Sequence, residues 1–217
     1  MLVGERMSHP VISVHPDVSI QDALYRMNSE NIRRLPVIDR RGVLVGIVTE
    51  RELLHASPSE ATSLSVWEVT YLLSRIKVED IMVREVITIN EDTPIEEAAR
   101  IMTDHRIGAL PVVRGDRVVG IITETDLFKV FTELMGAREQ GTRITVMAPN
   151  VPGTLVNISK AIYDAGGDII AMGTFMGESS AERELTFKVV GADMEALLAS
   201  LQPFIVSVVD VREIKTE

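Results

Sequence analysis

Residues 109–127 read ALPVVRGDRVVGIITETDL, and residues 34–54 have already said nearly the same thing, RLPVIDRRGVLVGIVTERELL. Each stretch opens with an apolar run around Leu-Pro-Val, turns at charged residues and glycine, and returns through Val-Gly-Ile. That is a β-hairpin pattern. Each then reaches a threonine followed three residues later by a carboxylate, Thr49 with Glu52 and Thr123 with Asp126. A hydroxyl and an acid at that spacing mark the start of a helix.

The likeness extends upstream. Residues 7–38 laid on 82–113 agree at eleven of 32 positions, and residues 45–54 agree with 119–128 at six of ten. Chance would give roughly two matches in the first window. A repeat dictates architecture, and two copies make a paired module rather than an array. In each copy a β-branched stretch, VISV at 11–14 and VITI at 86–89, reads as a first strand. Ser19 with Asp22 and Thr93 with Glu96 read as capping boxes, with Pro94 at the first helical position. Behind them Ile20, Ala23, Leu24 and Met27, and Ile95, Ala98, Ala99 and Met102, fall on one helical face. The order is strand, helix, strand, strand, helix, a unit too small to close its own core. Two such units packed through their sheets would bury what one cannot. Residues 57–77 join the copies, first as a loop and then as a helix carrying Trp67, Val69, Leu72, Leu73 and Ile76. Trp67 reads as a packing residue.

After a polar bridge at 136–142 the grammar changes. RITVM at 143–147 is a strand and APNVPG a turn. Leu155, Ile158, Ile162 and Ala165 line a helix that stops at Gly166-Gly167. Strands follow at DIIAMGTFM and RELTFKVVG, where Leu185, Phe187 and Val189 alternate inward. Asp193 caps a helix bearing Met194, Leu197, Leu198 and Leu201, Pro203 ends it, and IVSVVDVREI is a last strand. The order β-α-β-β-α-β is the ferredoxin-like split unit. The expected segmentation is 1–56 and 78–135 for the repeats, 57–77 and 136–142 for the connections, and 143–217 for the third unit.

Bulk properties narrow the function classes. The net charge of −10 at pH 7 over 217 residues disfavours nucleic acid and anionic membranes as partners. No cysteine is present, which suits a reducing cytoplasm. The first twenty residues lack a signal-peptide apolar core, and no run of about 18 apolar residues is long enough to span a bilayer. His9, His15, His55 and His105 form no metal-ligand spacing. No G-x-S-x-G turn, dinucleotide fingerprint or P-loop occurs. The expectation is a non-catalytic cytoplasmic protein that needs no metal or cofactor.

The Thr49/Glu52 and Thr123/Asp126 pairs have two readings. They are capping boxes, or they are a hydroxyl and a carboxylate that face a cleft and grip a vicinal diol such as ribose. Arg33 and Arg34 before the first Leu-Pro-Val, with Arg51, are likewise a solvated edge or a phosphate cradle. Their counterparts in copy two are Gly108, Ala109 and Thr125. Copy one thus supplies cations and copy two the shorter acid.

These residues resemble the paired CBS-domain (Bateman) module over residues 1–135, through the two LPV strands, the two G-h-h-T-x-x-[D/E] segments and the methionines Met7 and Met82 that precede each repeat. The resemblance implies an α/β (α+β) fold, two β-α-β-β-α repeats in a pseudo-two-fold pair with two clefts for adenosyl ligands such as AMP, ADP, ATP or S-adenosylmethionine. Carried over, one cleft would combine Ile121, Thr123 and Asp126 with Val11, Ile12, Arg33, Arg34 and Arg51, suiting an AMP-like ligand. A second, weaker cleft would combine Thr49 and Glu52 with Val86, Ile87, Gly108 and Ala109. Residues 143–214 resemble an ACT domain, ferredoxin-like and often amino-acid-binding, through the Asn150-x-Pro152-Gly153 turn. Asn150 and Gly153 are its candidate amino-acid site, although serine-binding relatives carry a histidine where Ala148 stands. The whole is similar to CBS–ACT proteins of the acetoin-utilisation AcuB type. It implies a homodimeric allosteric sensor of an adenine nucleotide with a regulated enzyme as partner. The alternatives are an adaptor with vestigial clefts and an amino-acid sensor.

Overall fold

The computed structural model describes residues 1–56, 74–177 and 179–215. Trp67, Val69, Leu72 and Leu73, expected on a linker helix, lie outside the described residues. The chain divides into two compact units, Met1–Leu127 and Phe128–Glu217.

In the first unit, repeat one consists of α1 (Ile20–Ser29), β1 (Arg34–Ile38), β2 (Leu44–Thr49) and α2 (Glu50–His55). The short α3 (Val78–Ile81) leads into repeat two, α4 (Ile95–His105), β3 (Ala109–Arg114), β4 (Arg117–Thr123) and the start of α5 (Glu124–Leu134), a helix that runs past the unit boundary at Leu127. Both expected hairpins form as antiparallel pairs with one irregularity each, at Val37/Ile38 and Val112/Val113. Ile20, Ala23 and Met27 are buried on α1, and Ala98 and Met102 on α4, as helical spacing requires.

The expected first strands shrink to single parallel bridges, Val14 to Val37 and Ile89 to Val112. Proline is the reason. Val14 N–H donates to the Pro36 carbonyl (3.0 Å), and Ile38 N–H donates to the Val14 carbonyl (2.9 Å). The next rung of a parallel ladder toward the N-terminus would need the N–H of Pro36, which proline lacks. Pro111 ends the other ladder in the same way. Thr93 also departs from its expected role. Its hydroxyl accepts from Asn90 N–H (3.3 Å), and Pro94 stands at the N-cap rather than inside α4. The turn before the helix has taken the hydroxyl that a capping box would use.

The two repeats exchange their leading segments. Val78 and Met82 belong to the core of repeat one, with Val14, Ile20, Met27, Leu35 and Leu53. Val3 is buried in the core of repeat two with Leu110 and Ile122, and Met7 packs against it. Backbone bridges seal the exchange, Val83 beside Ile47 and Ser8 beside Ile121. Each bridge runs alongside a glycine, Gly46 or Gly120, at which a β-carbon would collide with the methionine. Burying a methionine fully is worth about 1.5–3 kcal/mol; Met82 is buried and Met7 half-buried, so each copy draws on the other's leader. Ile76, from the linker, packs against the core of repeat one.

The second unit is an antiparallel sheet in the order β6-β7-β5-β8, formed by β5 (Gly141–Pro149), β6 (Asp168–Met176), β7 (Glu182–Val190) and β8 (Ser207–Ile214). The helices α6 (Thr154–Asp164) and α7 (Met194–Leu201) supply Ile158, Ala161, Ile162, Leu197 and Leu201 to a core with Ile144, Val146, Leu185, Phe187 and Val189. The expected ferredoxin-like order is the one observed. Leu155, expected on the buried stripe, is 40% exposed, and Ala161 occupies the inward position. Asp193 caps α7 by accepting from Glu195 and Ala196 N–H.

Candidate functional site: a cavity between the repeats

The Ile47–Val83 bridge opens onto a cavity of about 560 Å³, well inside the roughly 300–1,000 Å³ typical of small-molecule sites. Ile47 and Thr49 line one wall, and Val83, Glu85, Val86 and Ile87 line the facing segment of repeat two. Arg33, Arg34, Glu50, Arg51 and Glu52 of repeat one and Arg106, Ile107, Gly108 and Ala109 of repeat two complete the lining. Apolar side chains interleaved with charged ones and one hydroxyl suit a ligand with a flat apolar portion and a polar tail.

Local chemistry fixes Thr49 and Glu52. Thr49 N–H donates to Glu52 Oε2 (2.8 Å), and Glu52 N–H donates to Thr49 Oγ1 (3.4 Å). This completes a capping box at the start of α2. The threonine hydroxyl accepts in that bond and retains its own proton to donate. In repeat two the shorter acid changes the geometry. Asp126 Oδ2 accepts from both Thr123 N–H (3.0 Å) and Thr123 Oγ1–H (2.8 Å), and Asp126 is buried. Ser8 pairs with Ile121 as Val83 pairs with Ile47, so Val11 and Ile12 follow that bridge as Val86 and Ile87 follow the other.

The cations stand differently from the expected grouping. Arg33, Arg34 and Arg51, assigned from the sequence to the cleft of Thr123 and Asp126, line the cavity of Thr49 and Glu52. Arg34 pairs with Thr49 in the hairpin register, which carries its guanidinium to the mouth of that cavity. Arg51 follows Thr49 by two residues and shares its wall. The cleft expected to be short of positive charge therefore holds three expected arginines and a fourth, Arg106. Arg106 is the repeat-two counterpart of Asn31, and these two are the non-glycine residues with positive φ among the described residues, 54° and 52°. Both end a helix and turn the chain into the following strand. Nothing in the sequence sets Arg106 apart, because its repeat-one counterpart, Asn31, carries no charge. Glu50 and Glu85 complete the charged lining.

In the second unit Asn150 is engaged at both ends of its amide. Its Nδ2–H donates to the Ser180 carbonyl (3.0 Å), and its Oδ1 accepts from Arg183 Nε–H (3.0 Å). Gly153 stands at the N-cap of α6 with φ +91° and open space around it. Ala148 is fully buried in the core.

Residues 3–59 and 78–133 match the CBS domain family, together more than half of the chain, and residues 140–212 match the TTHA0829-like ACT domain. The L-aspartate semialdehyde sulfurtransferase of Methanocaldococcus jannaschii is 35% identical over 133 residues, which are 60% of this chain and 23% of that enzyme. The chain therefore spans under a quarter of that relative. The CBS domain pair of protein MJ0100, solved in complex with 5′-methylthioadenosine and S-adenosyl-L-methionine, is 34% identical with a TM-score of 0.51. It covers 60% of this chain and 95% of that one. CBSX2 in complex with AMP is 27% identical with a TM-score of 0.52, over 61% of this chain and 97% of its own. A Vibrio cholerae structure assigned to acetoin utilization (AcuB) is 29% identical with a TM-score of 0.52, over 62% and 92%. No helix among the described residues is long and apolar enough to cross a membrane. With its two α-β-β-α repeats that exchange leaders and its β-α-β-β-α-β second unit, the chain belongs to the CBS-domain family, as a tandem CBS pair followed by an ACT domain.

Proposed function

We propose that the CBS pair is a regulatory module that binds an adenosyl ligand in the cavity between its repeats. The observation that carries this reading is the cavity's composition. Val86 and Ile87 offer an apolar bed for a base and Thr49 a hydroxyl donor, while Arg33, Arg34, Arg51 and Arg106 outnumber the carboxylates Glu50, Glu52 and Glu85. Bidentate guanidinium donors suit phosphate or carboxylate oxygens. The AMP, methylthioadenosine and S-adenosylmethionine complexes of related CBS pairs support the same ligand class. Ile121, Thr123 and Asp126 with Val11 and Ile12 form the candidate second cleft, where the buried Asp126 carboxylate would take a sugar diol. A ligand in either cleft regulates by favouring one packing of the repeats over another.

Calorimetric titration of the whole chain with AMP, ADP, ATP, S-adenosylmethionine and methylthioadenosine tests the reading. Arg34→Ala is expected to weaken an anionic ligand by about ten-fold, equivalent to about 1.4 kcal/mol, while Asp126→Ala leaves the first cavity's affinity unchanged. The opposite pattern would move the ligand to the Thr123/Asp126 cleft. Absence of heat with all five at millimolar concentration would overturn the proposal.

A further inference from the structure

Arg34 does not stand idle at the cavity mouth. Its Nη2–H donates across the repeat boundary to Glu124 Oε2 at 3.3 Å. Glu124 is the first residue of α5, between Thr123 and Asp126 in the chain. The guanidinium reaches it over Gly108, where a β-carbon would collide with Arg34 and lie 2.5 Å from Glu124 Oε2. Gly108 also anchors the acceptor, because its carbonyl takes the Glu124 N–H at 3.1 Å. The pair has no twin. In repeat one the corresponding acid is Glu50, held likewise by the Arg33 carbonyl at 2.9 Å. The residue that would face it from repeat two is Ala109, which has no charge to offer. Arg34 therefore serves two sides at once, lining the cavity of Thr49 while spending a donor on an acid of the opposite repeat.

We infer that Glu124 is a built-in competitor for the ligand's anionic group on Arg34, and so sets how strongly the cavity distinguishes anionic from neutral adenosyl ligands. This rests on the adenosyl reading of the cavity. A phosphate or carboxylate arriving at Arg34 displaces the Glu124 carboxylate, and the observed affinity is lowered by the strength of the pair that is broken. A neutral ligand such as methylthioadenosine leaves the pair intact.

The test is a four-variant cycle by calorimetry on the full chain, with AMP and methylthioadenosine as probes. The pair is half-exposed, with side chains 29% and 55% accessible, so its effect is that of a surface ion pair, about three-fold in affinity. Glu124→Gln is expected to tighten AMP by that factor and leave methylthioadenosine unchanged. Arg34→Ala is expected to weaken AMP, and adding Glu124→Gln to it should change nothing further, because the competitor acts only through Arg34. Thermal melts confirm that each variant folds. AMP that binds wild type and Glu124→Gln equally, or a gain that survives in the Arg34→Ala background, overturns the competition and leaves the adenosyl reading standing. If neither probe binds any variant, the adenosyl reading falls and the competition falls with it.

Discussion

Gly46→Ala is the sharpest test of the exchanged leaders. A methyl group on this α-carbon would meet Met82 Sδ at 2.6 Å and the Val83 carbonyl oxygen at 2.9 Å. The two obstacles differ in kind. The thioether lies at the end of a flexible side chain and can turn aside. The carbonyl is backbone, and it accepts from Ile47 N–H at 2.9 Å while Val83 N–H returns a bond to the Ile47 carbonyl, also 2.9 Å. Relieving the clash therefore separates the bridge that holds repeat two's leader on repeat one. Overpacking costs about 1–3 kcal/mol and a weakened backbone hydrogen bond about 1 kcal/mol, so a local loss of about 2–4 kcal/mol is expected. Amide hydrogen exchange reads it directly. Protection at Ile47 and Val83 should fall by about 30- to 800-fold, at about 1.4 kcal/mol per factor of ten. Gly42→Ala is the control, because Gly42 has φ +83° and nothing within 4 Å. It should cost about 1–2 kcal/mol through backbone strain in its turn, without singling out Ile47 and Val83. Adding Met82→Ala to Gly46→Ala should recover only the thioether part of the clash. Wild-type protection at both amides in Gly46→Ala would refute the close approach and, with it, the exchange of leaders.

Three further outcomes follow from particular contacts. Asp126→Ala removes the acceptor of both Thr123 bonds and should cost about 0.5–2 kcal/mol, as lost helix caps do, read as a lower denaturant midpoint for the first unit. Hydrogen bonding from Arg212, with the charge of Arg143 beside it, holds the Asp210 carboxyl below the usual carboxylate range. A lowered folded-state pKa gives stability that is present above the unfolded value and lost as pH falls through the folded one. Asp210→Asn should therefore differ from wild type at neutral pH and converge on it at the acid end of a stability titration, and a constant difference across that range would contradict the pairing. Asn150→Ala should free the Arg183 and Ser180 contacts and cost about 1 kcal/mol. Because that amide is already engaged, no amino acid is expected to raise the melting temperature of the wild-type chain, and a shift that disappears in Asn150→Ala would restore the amino-acid reading.

The hairpins, the helix faces and the split order of the second unit were legible because each is written in local periodicity. Leu185, Phe187 and Val189 alternate and are all buried; Ile20, Ala23 and Met27 recur at helical spacing and are all buried. The shortened first strands were also legible in principle. Pro36 and Pro111 stand where the second rung needs a donor, but an apolar stretch such as VITI invites a longer strand when read without its partner. The exchange of leaders was beyond reach for a different reason. Met7 and Met82 occupy equivalent positions in two like copies, so a pattern showing that each is buried says nothing about which copy's core receives it. The arginines were misgrouped on the same account. Sequence offset identifies Gly108 and Ala109 as the counterparts of Arg33 and Arg34, yet a residue near the pseudo-dyad can turn to either cleft. The choice is made by the hairpin register that seats Arg34 opposite Thr49.

That register also brings Arg34 beside position 108 of the other copy. The Arg34 guanidinium occupies the space that a side chain at position 108 would need, and it lies against the Glu124 carboxylate there. A β-carbon at 108 would push the flexible ends of Arg34 and Glu124 aside, so glycine at 108 leaves that pair its seat. With glycine at 108, one guanidinium can cross the boundary and reach either the cavity or Glu124. The lost symmetry leaves one residue with two alternative partners, and through it a ligand anion would act on Glu124 as well as on the repeat-two residues that line the cavity.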